Sequence, residues 1–174
     1  MDIPLIRCAR LTLLPFAERH LTNRYVSWLN DPEVVRFSEQ RHSRHSVESC
    51  GVYAASFSGS SNSFIAMETE PHGHIGNMTV TRDLPNRTAD LAIMIGHRPA
   101  WGQGYAAEAW SAIMRHLLQS EKLRKVTAGT MAENHAMLKL MRRTGMKIEG
   151  HRSRQFVLDG REVDLVLAAA FSIP

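Results

Sequence analysis

The 174-residue chain is 44% apolar and 22% charged, the balance of an ordinary globular protein able to bury a core, which excludes disordered and fibrous classes. Its formal net charge of +4 mildly favours anionic partners, phosphorylated cofactors among them. The basic residues are dispersed, with no Lys/Arg-rich run or recognition-helix pattern, so nucleic acid is not the expected partner.

Residues 10–16 read as a first strand. Residues 18–29 follow as a helix with Leu21, Tyr25, Trp28 and Leu29 on one face, ended by Asn30-Asp31-Pro32. Residues 30–46 are irregular, rich in charge and histidine, and a second helix is expected over 46–57. Two strands, 63–68 and 74–81, are joined by a turn at Pro71 and Gly73. Residues 88–96 (TADLAIMIG) are apolar on both faces after Asp90, the pattern of a central strand. Pro99 and Gly102 to Gly104 break it, and residues 105–118 form an amphipathic helix with Ala106, Trp110, Ile113 and Leu117 inward. A buried strand over 125–131 precedes a helix starting at Asn134, with Met137, Leu140, Met141 and Thr144 inward and Gly145 as its stop. The chain closes in a hairpin, 154–158 and 162–171, turned by Asp159-Gly160. Strand, two helices, three strands, helix, strand, helix, two strands is an α/β (α+β) sandwich around one mixed, mostly antiparallel seven-stranded sheet. No linker or repeat divides it, so one domain is expected over 1–174.

Two cysteines, Cys8 and Cys50, make neither a metal spacing nor a disulfide framework and suit a reducing compartment. The opening MDIPLIRCARLTLL has no long apolar core, so it is not read as a signal peptide. No apolar run approaches the ~20 residues that span a bilayer. A cytoplasmic location without membrane contact is expected.

The informative stretch is Trp101-Gly102-Gln103-Gly104-Tyr105-Ala106-Ala107-Glu108, between a buried strand and an amphipathic helix. A helix start leaves backbone N–H groups unpaired and carries a positive partial charge. Glycines let that backbone approach a ligand closely, so the turn suits a diphosphate. Gly102, Gly104 and Ala107 also fit the dinucleotide pattern GxGxxA. That fingerprint opens its domain after the first strand, whereas this turn follows about a hundred residues and a run of strands. No Gly-Lys-Ser/Thr of a Walker loop is present.

With Trp101, Gly104 and Ala106 in the wording WGxGYAxEA, the chain resembles the GNAT acetyltransferase superfamily, in particular its RimJ/RimL-like (ribosomal-protein N-acetyltransferase) branch. Asn134 and Gly145, eleven residues apart, fit that family's second motif, with Met146 where Phe is usual. The likeness runs from Trp28-Leu29-Asn30-Asp31-Pro32 to the closing GMKIEGHRSRQFVLDGREVDLVL. The resemblance implies a GNAT-like fold and an enzyme moving the acetyl group of acetyl-CoA to a primary amine. Acceptors of that kind include a protein N-terminus, an amino sugar, a polyamine or an antibiotic. It implies that amides of Gln103, Gly104, Tyr105, Ala106 and Ala107, in the turn with Trp101 and Gly102, hold the CoA diphosphate. The edge at Met94, Ile95 and Gly96 then pairs with the pantetheine arm, Asn134 bonds the arm from the other side, and Arg142 with Arg143 meets the 3′-phosphate. On residue chemistry alone, those arginines equally complement the dipole of their own helix.

Acetyl transfer to an amine needs a neutral amine, a donor for the developing oxyanion and a proton for the leaving thiolate. A strand amide near Met94 to Gly96 supplies the donor. Asp90 stands where the family often carries its base, on the face shared with Ala92 and Met94. The alternative is a strand-end carboxylate paired with Arg87 or Arg98. Glu108, in a first helical turn, is read as structural. The family's Tyr and the branch's Ser fall here on Met141 and Met137, neither able to donate a proton, so the general acid is unassigned among Tyr105, His135 and water. Of the nine histidines, His42 and His45 lie three apart and His72 and His74 two apart, but in turn-like sequence without acidic or cysteine partners, so no metal is expected. In the resembled family the region holding Arg41-His42-Ser43-Arg44-His45 shapes the acceptor pocket, and basic residues there suit an anionic acceptor; a solvated loop is the alternative. A non-catalytic CoA-binding module and, more remotely, a dinucleotide oxidoreductase are the competing functions. Oligomeric state, including a homodimer, is left open.

Overall fold

The computed structural model describes residues 3–172. Met1 and Asp2, which open the stretch not expected to be a signal peptide, and Ile173 and Pro174, which end the expected domain, lie outside the described residues. The elements are β1 (Ile6–Arg7), β2 (Thr12–Pro15), α1 (Asn23–Leu29), α2 (Pro32–Val35), α3 (Val47–Ala55), β3 (Ser63–Thr69), β4 (Gly73–Asp83), β5 (Thr88–Ile95), α4 (Tyr105–Arg115), β6 (Lys125–Met131), α5 (His135–Arg143), β7 (Lys147–Leu158) and β8 (Arg161–Phe171).

The strands form one sheet in the order β1-β2-β3-β4-β5-β6-β8-β7. The expected seven strands are eight: β1 pairs with β2 through Ile6↔Leu13 and Arg7↔Thr12. Two residues are too few for a period-two pattern to register in the sequence. The first helix also starts later than expected. Glu18–His20 is a separate 3₁₀ turn, and the Thr22 hydroxyl caps α1 by accepting from Tyr25 N at 3.2 Å. The stretch read as irregular holds α2, started by Asp31 and Pro32. Strand β7 begins at Lys147 and not 154, with an irregularity between Arg152 and Phe156 where the Asp164 carboxylate accepts from Arg154 N at 2.8 Å.

Cross-strand pairs assign the two faces of the sheet. Phe64, Thr79 and Ala92 lie opposite one another, as do Ala66, Asn77 and Met94, and this face packs under α1 and α3 through Tyr25, Trp28, Leu29 and Cys50. The opposite face, with Ile65, Met78 and Leu91, meets Trp110, Ile113, Leu140 and Met141 of α4 and α5. Helix α4 sits there because Ala109, Trp110 and Ile113 recur at helical spacing and are fully buried.

Strand β5 is central, but the run after Asp90, expected to be buried on both faces, is not: Ala92 is exposed next to buried Leu91, on the same face as exposed Asp90. The cause is the parallel pairing of β5 with β6. Strands β5 and β6 are joined only at Thr88↔Lys125, Ala89↔Val126 and Asp90↔Thr127. Beyond Asp90, β5 stays with β4 to Ile95 while β6 follows β8 to Met131. The two strands diverge, and the sheet opens.

Candidate active site

The opening is the waist of a cavity of about 630 Å³, within the range of small-ligand sites. On one side of the sheet its wall comes from Trp101, Gly102, Ala106, Asn134, Met137 and Leu140; on the other from Tyr25, Phe37, Tyr53 and Phe64. Between them lie Ala92 to Ile95 of β5, with Asn77 and Thr79 of β4.

Strand β5 is unpaired along this wall in a defined way. Gly96 N and His97 N both donate to Ile75 O at 3.0 Å, ending the β4–β5 ladder in a bulge. Since hydrogen-bonded pairs alternate in an antiparallel ladder, Asn77 and Met94 exchange bonds as Ile75 and Gly96 do. The N–H and C=O groups of Ile93 and Ile95 therefore turn toward the split. The indole Nε1–H of Trp101 donates to the Ile95 carbonyl at 2.7 Å, leaving the amides of Ile93 and Ile95 as donors without a partner among the described residues. Gly96 is committed elsewhere, with its N on Ile75 and its α-carbon packed so closely on Trp28 that no side chain fits.

Helix α4 starts at Gly104, which has φ +87° and no side-chain cap. The first-turn amides of Tyr105, Ala106 and Ala107 thus have no intrahelical partner. The turn is braced from outside the motif. Arg10 donates from Nη1 to Gln103 O at 2.8 Å and from Nε to Glu108 Oε2 at 2.9 Å, and its guanidinium lies over the Tyr105 ring. Gln103 itself ties back to Pro99 O at 2.6 Å. Glu108 is accordingly occupied by Arg10, the structural place expected of it.

Asn134 caps α5, its Oδ1 accepting from Met137 N at 3.1 Å while its Nδ2 donates to Thr130 Oγ1 at 3.0 Å. One amide hydrogen is left for a ligand. Of the expected site residues, Met94, Ile95, Trp101, Gly102, Ala106 and Asn134 line the cavity, whereas Asp90, Gly96, Gln103, Gly104, Tyr105, Ala107 and Arg142 do not. Arg142 is exposed on the last turn of α5. Asp90 shares the face of Ala92 and Met94 at the vertex of the split, and its partner is neither Arg87 nor Arg98: the carboxylate accepts from Thr127 Oγ1 at 2.8 Å. Desolvation raises its pKa against the lowering effect of that hydroxyl. The residue keeps solvent contact, so the desolvation is partial.

Met137 lines the cavity and Met141 is fully buried in the core. The titratable residues of the wall are Tyr25, Glu33, His45, Cys50 and Tyr53, all from α1 to α3 and their connections. Burial raises the Tyr25 and Tyr53 phenols. Arg10, Asn77 and the aromatic wall went unnoticed in the sequence. The available signal was Asn77 itself, an amide inside an apolar strand, where such a residue is out of place without a partner.

Among the described residues no group of three or more His, Cys, Asp or Glu could hold a metal ion, and no helix is long and apolar enough to cross a membrane. The chain is similar in fold to a GNAT-family acetyltransferase from Bacillus anthracis (TM-score 0.83, 17% identity, 96% of this chain and 98% of that one). It is similar to the spermidine N-acetyltransferase of Vibrio cholerae in complex with CoA and spermine (0.83, 18%, 94% and 96%). A ribosomal L7/L12 α-N-protein acetyltransferase in complex with coenzyme A is a third such structure (0.82, 16%, 97% and 98%). Direct comparison with curated protein sequences gives no match. The family profile described as Acetyltransferase (GNAT) domain matches residues 10–147, which span both the Gly102–Gly104 turn and the Asn134 cap, and the chain belongs to that family.

Proposed function

We propose that this chain transfers the acetyl group of acetyl-CoA directly to a primary amine, the two substrates entering the cavity from opposite faces of the sheet. The observation that supports this reading is the split between β5 and β6 leading to the uncapped start of α4. A strand edge with free amides at Ile93 and Ile95 suits the amide-bearing pantetheine arm. The amides of Tyr105 to Ala107 suit a diphosphate, with the helix dipole adding to them. Arg142 is available to the 3′-phosphate, and the remaining amide hydrogen of Asn134 to the arm.

The chemistry required is small. The amine lone pair forms the new N–C bond, the C–S bond breaks, the amine loses one proton and the thiolate gains one. An amide of the β5 edge faces the carbonyl oxygen as charge develops there, and holding both reactants in one cavity supplies much of the remaining rate. Asp90, at the vertex, takes the amine's proton through water. Met137 gives no proton and neither Tyr105 nor His135 lines the cavity, so the thiolate is protonated from solvent, which an alkyl-thiol pKa of ~8.5 permits.

Two measurements test the reading. Acetyl-CoA should raise the melting temperature, since a ligand of the folded state stabilises it, and NAD should not. Thiol release from acetyl-CoA across a panel of amines should then show turnover. Stabilisation without turnover on any amine would instead support a CoA-binding module, and stabilisation by NAD alone would discard both.

A further inference from the structure

Among the described residues, the wall facing α1 and α3 holds one buried side-chain nitrogen or oxygen without a hydrogen-bond partner. Asn77 is 4% exposed and lines the cavity beside Thr79, Ala92 and Met94. Its Nδ2 is buried and has no hydrogen-bond partner, an arrangement costly enough to call for an explanation.

Its orientation is fixed by His74. The His74 Nε2 lies 3.1 Å from Gly76 O and 2.9 Å from Asn77 Oδ1. A main-chain carbonyl can only accept, so Nε2 carries the hydrogen and Asn77 must present its oxygen to it. An amide turned the other way would set two donors against each other. Burial depresses the His74 pKa to about 4, so the ring is neutral near pH 7 and holds this tautomer. The ring is itself packed on Trp28 and on His20, centroids 5.0 Å away in each case. His20 is fully buried and held by Ala17 N and the Glu68 carboxylate. The chain of contacts leaves Asn77 with its N–H₂ as an anchored donor on the cavity wall.

Resting on the acetyltransferase reading above, we propose that Asn77 selects the acceptor: its Nδ2–H binds an oxygen that the acceptor carries near its amine, so the substrate is an oxygen-bearing amine and not a simple polyamine. The amine itself cannot take this bond. Protonated, it is a donor only; neutral, its one lone pair is the nucleophile. The thioester oxygen is served from elsewhere, since β5 lies between Asn77 and the split and offers its own free amides. A peptide N-terminus, with a carbonyl two bonds from its nitrogen, and a 2-amino sugar, with neighbouring hydroxyls, both meet the requirement. Spermidine carries no acceptor for it. Charge argues the same way. Among the described residues lining the larger cavity Glu33 is the only carboxylate, and the neighbouring cavity, which shares Leu29, brings Arg36, Arg41 and Arg44 against Asp159. A polycation would meet little there to hold it.

The test compares kcat/KM of the full chain for alaninamide, glucosamine, spermidine and butylamine, with acetyl-CoA affinity measured alongside. The wild type should favour alaninamide or glucosamine over butylamine by about tenfold or more, the two oxygen-bearing arms telling peptide from sugar. Asn77→Leu should lose about tenfold on the favoured amine, keep its butylamine rate and keep its acetyl-CoA affinity. Asn77→Asp retains an oxygen for His74 while removing the donor, so it should show the same selective loss if the leucine variant does not fold. A preference for spermidine or butylamine in the wild type overturns the proposal. So does a variant that loses rate equally on every amine, or one that weakens acetyl-CoA binding. Absence of thiol release with all four amines removes the acetyltransferase reading itself, and the inference with it.

Discussion

Replacing Gly104 by alanine perturbs the start of α4 and little else. Gly104 has φ +87°, and a β-carbon there would lie 3.3 Å from Arg10 Nη2, the movable end of a long side chain. The steric cost is therefore small, and the left-handed conformation is the main one, about 1–2 kcal/mol for a residue with a β-carbon. In a chain of this size that lowers the melting temperature by about 2–8 °C. Part of the strain is relieved if φ returns toward negative values, which swings the Tyr105 amide out of line with its neighbours. Losing one charge-assisted hydrogen bond to a phosphate costs about 1.5–3 kcal/mol, or about 10- to 100-fold in affinity. Gly59 supplies the control: it has φ +70° with nothing within 4 Å of its β-carbon position, and it lies outside the cavity wall. Calorimetric titration with acetyl-CoA and thermal melts on both variants separate the effects. Gly59→Ala should melt lower and bind as wild type, whereas Gly104→Ala should melt lower and bind at least tenfold more weakly. Equal affinity in the two variants would refute the assignment of the diphosphate to this helix start.

Asp90→Asn should reduce turnover while leaving acetyl-CoA affinity unchanged. Because desolvation raises the Asp90 pKa, the wild-type rate should fall with decreasing pH above the usual carboxylate range; an unaltered rate in the variant would leave Asp90 as a partner of Thr127 only. The partly buried His74 predicts a stability difference with pH. Its folded pKa of about 4 lies below the ordinary histidine value of 6.5, so the unfolded chain binds the extra proton and stability is lost as pH falls from about 6.5 to about 4. At 1.36 kcal/mol per unit this amounts to at most about 3 kcal/mol, and denaturant melts of wild type and His74→Gln should converge over that window; parallel curves would contradict it.

Much of the scaffold was legible because it rests on local rules. Residues 125–131, read as a buried strand, form β6 at those bounds, and Asp159-Gly160 turns the β7–β8 hairpin as expected. The glycine turn before an amphipathic run located the start of α4, and Asn134 with Gly145 bracketed α5. The start of α1 was less legible because a side-chain cap decides it, the Thr22 hydroxyl, whereas the start expected for the second helix at Ser46 falls on the α3 cap formed by the reciprocal Ser46–Ser49 pair.

The sequence by itself determined that an apolar strand runs into a glycine-started helix; a cofactor place at Met94, Ile95 and Gly96 was an implication of the family resemblance, and of the three only Met94 and Ile95 line the cavity. Only the tertiary structure decided which groups on that strand are free. Direction along a strand is a matter of pairing, and the divergence of β5 from β6 after Asp90 arises from competition with β4 and β8, elements distant in sequence. The same holds for Arg10, which reaches the turn from almost a hundred residues away, and for Asn77. Its type hinted at a partner, but an unsatisfied donor becomes visible only once every neighbour that could have satisfied it has been placed.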